Sequence, residues 1–145
     1  MNIKATVFAG IGVFLFIFVY DFVFHGGLMK DWYTETKSLW RPEAEMPLYF
    51  RWILAGQGLS ALAITVLVTR IGEGAKCGLR IGACVGLILV AGILITYAVQ
   101  PIPSKIILAW SISAMIQVTL AGGIAAGIYK KCAGSSGCKI SKVTE

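Results

Sequence analysis

The stretch Phe18-Val19-Tyr20-Asp21-Phe22-Val23-Phe24-His25-Gly26-Gly27 decides how the chain is read, because its first hydrophobic run ends there on a carboxylate and an imidazole. A helix needs about 20 predominantly apolar residues to cross a bilayer. The run that starts at Ala5 reaches that length only if it continues through Asp21 to Phe24. Three further neutral runs qualify unaided: Trp52 to Thr69, Ile81 to Ser104 and Ile106 to Tyr129. On a helix Asp21 and His25 share one face, with Cβ atoms about 5 to 6 Å apart. An ionisable residue inside a spanning helix is costly and marks a functional site by default.

Composition agrees with lipid as the solvent. Of 145 residues 57% are hydrophobic and 14% charged, against about 25% charged in soluble domains. The runs lack the period-two alternation of a spanning barrel. The opening Met1-Asn2-Ile3-Lys4 could begin a secretory leader, but no small-x-small cleavage site follows, so it reads as a retained first span. The fold class expected is all-α: a four-helix transmembrane bundle with an amphipathic interfacial helix between spans one and two. Residues 1–131 form the membrane domain, with spans at about 3–24, 52–69, 81–100 and 105–129 and the interfacial helix at about 28–40; residues 132–145 form a mobile cytoplasmic tail.

The net charge of +6 is dispersed over loops and tail, so no nucleic-acid partner is expected. Lys and Arg counts in short loops set orientation. Lys4, Arg70, Lys76, Arg80, Lys130, Lys131, Lys139 and Lys142 fall on one side, eight against Lys30, Lys37, Arg41, Arg51 and Lys105 on the other. Both termini are therefore predicted to be cytoplasmic.

Along span one, Val7, Gly10, Phe14, Ile17, Asp21 and His25 form one stripe, which turns Asp21 toward the bundle. Gly26-Gly27 is expected to end that helix in the C-terminal manner of glycine. In the long connection that follows, Met29, Trp32, Tyr33, Thr36 and Trp40 recur at helical spacing, as in a helix lying in the interface. All four tryptophans, Trp32, Trp40, Trp52 and Trp110, fall on the outer side. Interfacial anchoring explains them most simply; the sharper alternative is a loop helix folded as a lid over a polar cluster. The short loop after Arg70 makes spans two and three antiparallel neighbours, and Ser104 is the expected N-cap of span four.

Two sets of residues carry the functional expectations. Asp21, His25, Gln57, Thr96, Tyr97, Ser111 and Ser113, counted to the outer third of the membrane, make a small polar vestibule open to the outside if their faces converge, with Asp21, His25, Gln57, Tyr97 and Ser111 as its pocket. Asp21 would bind a proton or cation there and His25 would adjust the charge; in the structural alternative Asp21 pairs with His25, Arg51 or Lys105 and only fixes helix register. Gly78, Gly82 and Gly86 form a small-xxx-small ridge in span three, and Gly123 with Gly127 supplies a second close-packing face in span four. The cysteines Cys77, Cys84, Cys132 and Cys138 lack Cys-x-x-Cys spacing and are weak candidates for a soft metal. One histidine excludes a bis-histidine haem within the chain, and no nucleophile elbow or phosphate-binding glycine loop is present. The chain is thus expected to be non-enzymatic and without a cofactor. Its leading role is a self-associating or accessory subunit, in a homo-oligomer or larger membrane complex joined through the span-three ridge. The alternatives are a small proton, cation or solute transporter at Asp21 and His25, and soft-metal handling at the cysteines.

The motifs Asp21-Phe22-x-x-His25-Gly26, Thr36-Lys37-Ser38-Leu39-Trp40-Arg41-Pro42 and Tyr97-Ala98-Val99-Gln100-Pro101-Ile102-Pro103 resemble those of a family of small four-span bacterial inner-membrane proteins. That resemblance covers most of the chain and implies a bacterial inner-membrane location and a four-helix plan, with no established activity attached. In size and span count the chain is also similar to small mercury-uptake proteins, but it lacks their cysteine pair in the first span.

Overall fold

The computed structural model describes residues 2–72 and 74–134. Helix α1 (Ile3–Val23) runs on through a π-helical turn (Phe24–Leu28), followed by the short helix α2 (Lys30–Glu35) and two 3-10 turns. Then come α3 (Met46–Ile71), α4 (Ala75–Val99) and α5 (Ser104–Ala133). Among the described residues four helices, Ile3–Leu28, Glu43–Ile71, Ala75–Val99 and Ser104–Ala133, are long and apolar enough to cross a membrane. Phe8, Phe22, Ile88 and Val99 stand more than half exposed on their outer faces. The chain is a multi-pass membrane protein, and these side chains meet lipid.

Helices α1, α3 and α5 enclose the main core, where Val13, Ile17, Ile64, Val68, Val118 and Ala125 are buried. Helix α4 stands outside this triangle and packs mainly on α5; despite the short turn before it, α3 is a minor neighbour. Lipid tails are as apolar as leucine, so spanning helices are drawn together by close packing and interhelical hydrogen bonds. The α4–α5 seam shows this directly, because the buried residues of α4 are Gly78, Gly82 and Gly86. A methyl group on Gly78 would lie 2.2 Å from the Gly122 carbonyl oxygen, and one on Gly82 would lie 2.3 Å from that of Val118. The ridge is therefore covered by the chain's own α5 and is not free to join copies or partners. Gly123 also faces α4, at Leu79, whereas a methyl on Gly127 would meet nothing within 4 Å.

The helix ends depart from expectation in ways that shift the level of the site. Helix α3 begins at Met46, six residues before the apolar run, with Pro47 in its first turn where a missing N–H is harmless. Helix α4 begins at Ala75, so Lys76 and Arg80 lie within its first turns. Helix α5 is entered from Pro103 as N-cap, with Ser104 its first residue and no side-chain cap. It continues to Ala133, where Lys130 and Lys131 suit the negative helix end, and stops at Gly134 with φ 74°. Most of the tail expected at 132–145 lies outside the described residues. Gly26 and Gly27 do not end α1. The Met29 N–H reaches back five residues to the Phe24 carbonyl (2.9 Å), and the π turn carries the chain toward α2.

The seam makes a direct prediction. Gly82→Ala should lower the unfolding midpoint in mild detergent, at a cost of about 1 to 3 kcal/mol. Gly92→Ala, on the same helix with nothing within 4 Å of the added methyl, should leave the midpoint unchanged or raise it. Equal midpoints for the two variants would contradict the seam.

Candidate functional site

The centre of the bundle is a carboxylate held by two amides. Asp21 projects from α1 toward both α3 and α5. Its Oδ2 accepts a hydrogen bond from Gln57 Nε2 at 2.7 Å, and its Oδ1 accepts one from Gln117 Nε2 at 2.5 Å. A carboxylate can only accept, so both amides must present their NH2 ends to it. Gln57 is the twelfth of the 26 residues of α3 and Gln117 the fourteenth of the 30 of α5, so both stand close to the middle of their helices. At this end α3 and α5 extend beyond their apolar runs, so the two amides stand well inside their helices, whereas Asp21 is the third residue from the end of α1.

None of the cations proposed for Asp21 reaches it. Lys105 pairs with Glu35 and lies over the Trp32 ring, and Arg51 lies over the Trp52 ring. Among the described residues Asp21 forms no ion pair. Beside the clasp, the Tyr20 hydroxyl donates to the Ser113 carbonyl oxygen (3.3 Å) and accepts from Ser113 Oγ (3.2 Å), which closes the α1–α5 contact.

One turn outward, His25 bonds to Tyr33 and not to Asp21. Its Nδ1 lies 2.5 Å from the Tyr33 hydroxyl, which also accepts from Trp110 Nε1 at 2.8 Å. With Trp110 donating, the Tyr33 O–H is directed to Nδ1, and the ring proton of a neutral His25 then belongs on Nε2. Around this contact Met29, Trp32, Tyr33 and Trp40 pack on Ile102, Ile106 and Trp110. The helical stripe of the connection therefore faces protein: α2 packs as a cap on the end of the bundle where α5 begins. Trp32, Trp40 and Trp110 belong to that cap, whereas Trp52 is 65% exposed on α3 and suits an interfacial anchor. The expected single helix over 28–40 breaks at Thr36 (φ −112°, ψ 25°), whose hydroxyl donates to the Trp32 carbonyl oxygen and accepts from Trp40 Nε1.

The structure thus brings Asp21 and Gln57 together, with His25 adjacent through the cap. It leaves Tyr97 half exposed at the end of α4, beside an open hollow of about 650 Å³ that Gln100 and Ser104 also line. Ser111 donates to the Ile107 carbonyl oxygen of its own helix (2.8 Å) and does not join the cluster. Ser113, counted into the polar vestibule, stands beside the clasp through Tyr20, whereas Gln117 and Tyr33 are members that the sequence-based pocket omitted. Gln117 had a signal, being an uncharged amide inside a span; Tyr33 had none beyond its spacing. Cys77, Cys84 and Cys132 are free thiols, and among the described residues no three His, Cys, Asp or Glu side chains are grouped to hold a metal. Cys138 lies outside the described residues.

No protein-family model, curated protein or solved structure matches the chain. Fold and site together define a class only: a four-span helical membrane protein with an amide-clasped carboxylate at its centre and an aromatic cap on one end.

Burial holds the Tyr33 phenol above its ordinary value of 10.0; the Trp110 N–H opposes that shift and the Asp21 charge adds to it. A group raised on folding stabilises the fold fully below its unfolded value and loses that contribution as pH rises through its folded value. The cap is therefore expected to be intact below pH 10 and to loosen above it. A near-ultraviolet absorbance titration should show a late tyrosine component, and Tyr33→Phe should remove that component. An unchanged titration in the variant would contradict the assignment.

Proposed function

We propose that this chain is a non-enzymatic protein of the bacterial inner membrane, with both termini cytoplasmic, that binds and exchanges a proton or small cation at Asp21. The observation that supports this is that both donors to the carboxylate are uncharged. Two amides hold it between three spanning helices, and among the described residues it forms no ion pair. An ionisable side chain inside a spanning segment is costly, even where, like Asp21, it stands near the end of its α-helix. Two uncharged donors orient it and reduce that cost without neutralising it, which leaves the charge available to a proton or cation. A purely structural tie would need no ionisable group there, since a third amide could accept from one glutamine and donate to the other with that glutamine's amide turned over.

The orientation is supported by the eight-to-five distribution of Lys and Arg, and the bacterial location by the motif resemblance noted above. The accessory-subunit alternative loses its main support, because the span-three glycines are covered within the chain. The soft-metal alternative has no ligand cluster behind it among the described residues.

Flux in proteoliposomes tests the proposal. Purified protein should move protons or a monovalent cation down an imposed gradient. Asp21→Asn should reduce the rate at least ten-fold, and His25→Ala should change it less. Absence of flux for the wild-type protein, or an unchanged rate in Asp21→Asn, would overturn it.

A further inference from the structure

The end of the bundle where α1 begins and α5 finishes is marked by Asn2, whose N–H donates to the Tyr129 hydroxyl (3.1 Å). Lys4, Lys130 and Lys131 stand exposed on this rim. Arg80 does not belong to it. On α4 Arg80 lies midway between Gly78, packed on Gly122, and Gly82, packed on Val118. From the level of Gly122 the helix runs on to Lys130, so the Arg80 backbone stands about 12 Å inside the rim at about 1.5 Å per residue. The buried residues of α4 are Gly78, Gly82 and Gly86. At about 100° per residue Arg80 points almost directly away from them. Lys76 shares that outward side one turn nearer the rim, and both side chains are exposed.

A charged side chain in a spanning helix ordinarily turns to the bundle interior or to a water-filled cavity. Arg80 turns to lipid. Further into the membrane the outer side of α4 carries Leu87 and Ile88, 62% and 71% exposed, which meet acyl chains. Among the described residues Arg80 and Lys76 form no ion pair. Every described acid lies between Asp21 and Glu45, toward the opposite end of the bundle; Glu73 and Glu145 lie outside the described residues. Side chains on a helix lean toward its N-terminus, which for α4 is the rim end. The Arg80 guanidinium therefore extends along the lipid face toward Lys76, its aliphatic stem against acyl chains and its charge nearer the headgroups.

We propose that Arg80 and Lys76 hold the phosphate of an anionic phospholipid against the outer side of α4, with an acyl chain lying along Leu87 and Ile88. A guanidinium grips a phosphodiester through two parallel N–H···O bonds, and the Lys76 ammonium adds a second charge one turn away. Charge complementarity selects the lipid. Two cations with no described acid at their level favour a headgroup of net negative charge, such as phosphatidylglycerol, over zwitterionic phosphatidylcholine, whose choline would stand beside like charge. The glycine seam leaves this face free, because α5 covers the opposite side of α4. The site is separate from Asp21 and does not depend on the role assigned to that residue.

The test titrates full-length protein in a neutral detergent with acyl-labelled phosphatidylglycerol and, separately, phosphatidylcholine. The unmodified protein should bind phosphatidylglycerol about ten-fold more tightly or better, and Arg80→Gln and Lys76→Gln should each weaken that binding by about five-fold. Lys131→Gln removes the same charge from the rim and should weaken it by less than about two-fold. Equal affinity for the two lipids, or unchanged binding in both Arg80→Gln and Lys76→Gln, would overturn the site. An equal loss in Lys131→Gln would also overturn it, by showing diffuse attraction to the charged end. Displacement of the bound lipid by millimolar inorganic phosphate would assign the pair to a soluble anion and overturn the proposal in the same way.

Discussion

A charged oxygen inside a bilayer must find its hydrogen bonds within the protein, and the Asp21 carboxylate finds them on two different helices. That constraint fixes more than one contact. By reaching Gln57 on α3 and Gln117 on α5, Asp21 sets the rotation and the depth of three spans relative to one another. The core below it, from Ile17 and Val13 to Val68 and Ala125, is apolar on all sides and would tolerate several registers by hydrophobicity alone. A one-residue slip of α1 would rotate Asp21 about 100° away from both amides. Directional hydrogen bonds select the register, and close packing then fills it.

Helix α4 follows different physics. It makes no contribution to the clasp and buries only glycines, so its attachment depends on how closely its backbone approaches α5 at Gly78, Gly82 and Gly86. The arrangement divides the molecule into a three-helix unit that carries the polar centre and a fourth helix laid against it. At the outer end a third device operates. Tyr33 joins His25 to Trp110 and Lys105 pairs with Glu35 across the same contact, which holds the aromatic cap against the start of α5. The exposed Lys105–Glu35 pair adds at most about 1 kcal/mol; the buried Met29 and the stacked rings hold the cap more firmly.

Much of this was legible in the residues. Run lengths identified the four spans, the stripe through Ile17 and Asp21 turned the carboxylate inward, and the spacing of Met29, Trp32, Tyr33 and Trp40 marked a one-sided helix. Three features were not, and each has a physical cause. A switch from α to π hydrogen bonding at Phe24–Leu28 leaves no mark in composition, so Gly26-Gly27 looked like a terminator. Charged residues such as Arg51 and Arg80 bounded the apolar runs but did not end the helices, so positions counted from the runs did not bring Gln117 to Asp21. The glycine ridge announced a close contact, yet spacing alone says nothing about which helix fills it.

The clasp itself is open to a direct measurement. A double-mutant cycle with Asp21→Leu and Gln117→Leu, read as unfolding free energy in mild detergent, isolates the contact between the two side chains from their separate effects. A coupling of about 1 kcal/mol is expected for an interhelical hydrogen bond to a carboxylate inside a spanning bundle. Strictly additive effects would mean that Asp21 and Gln117 do not touch, and the carboxylate would then have no place at the centre of the protein.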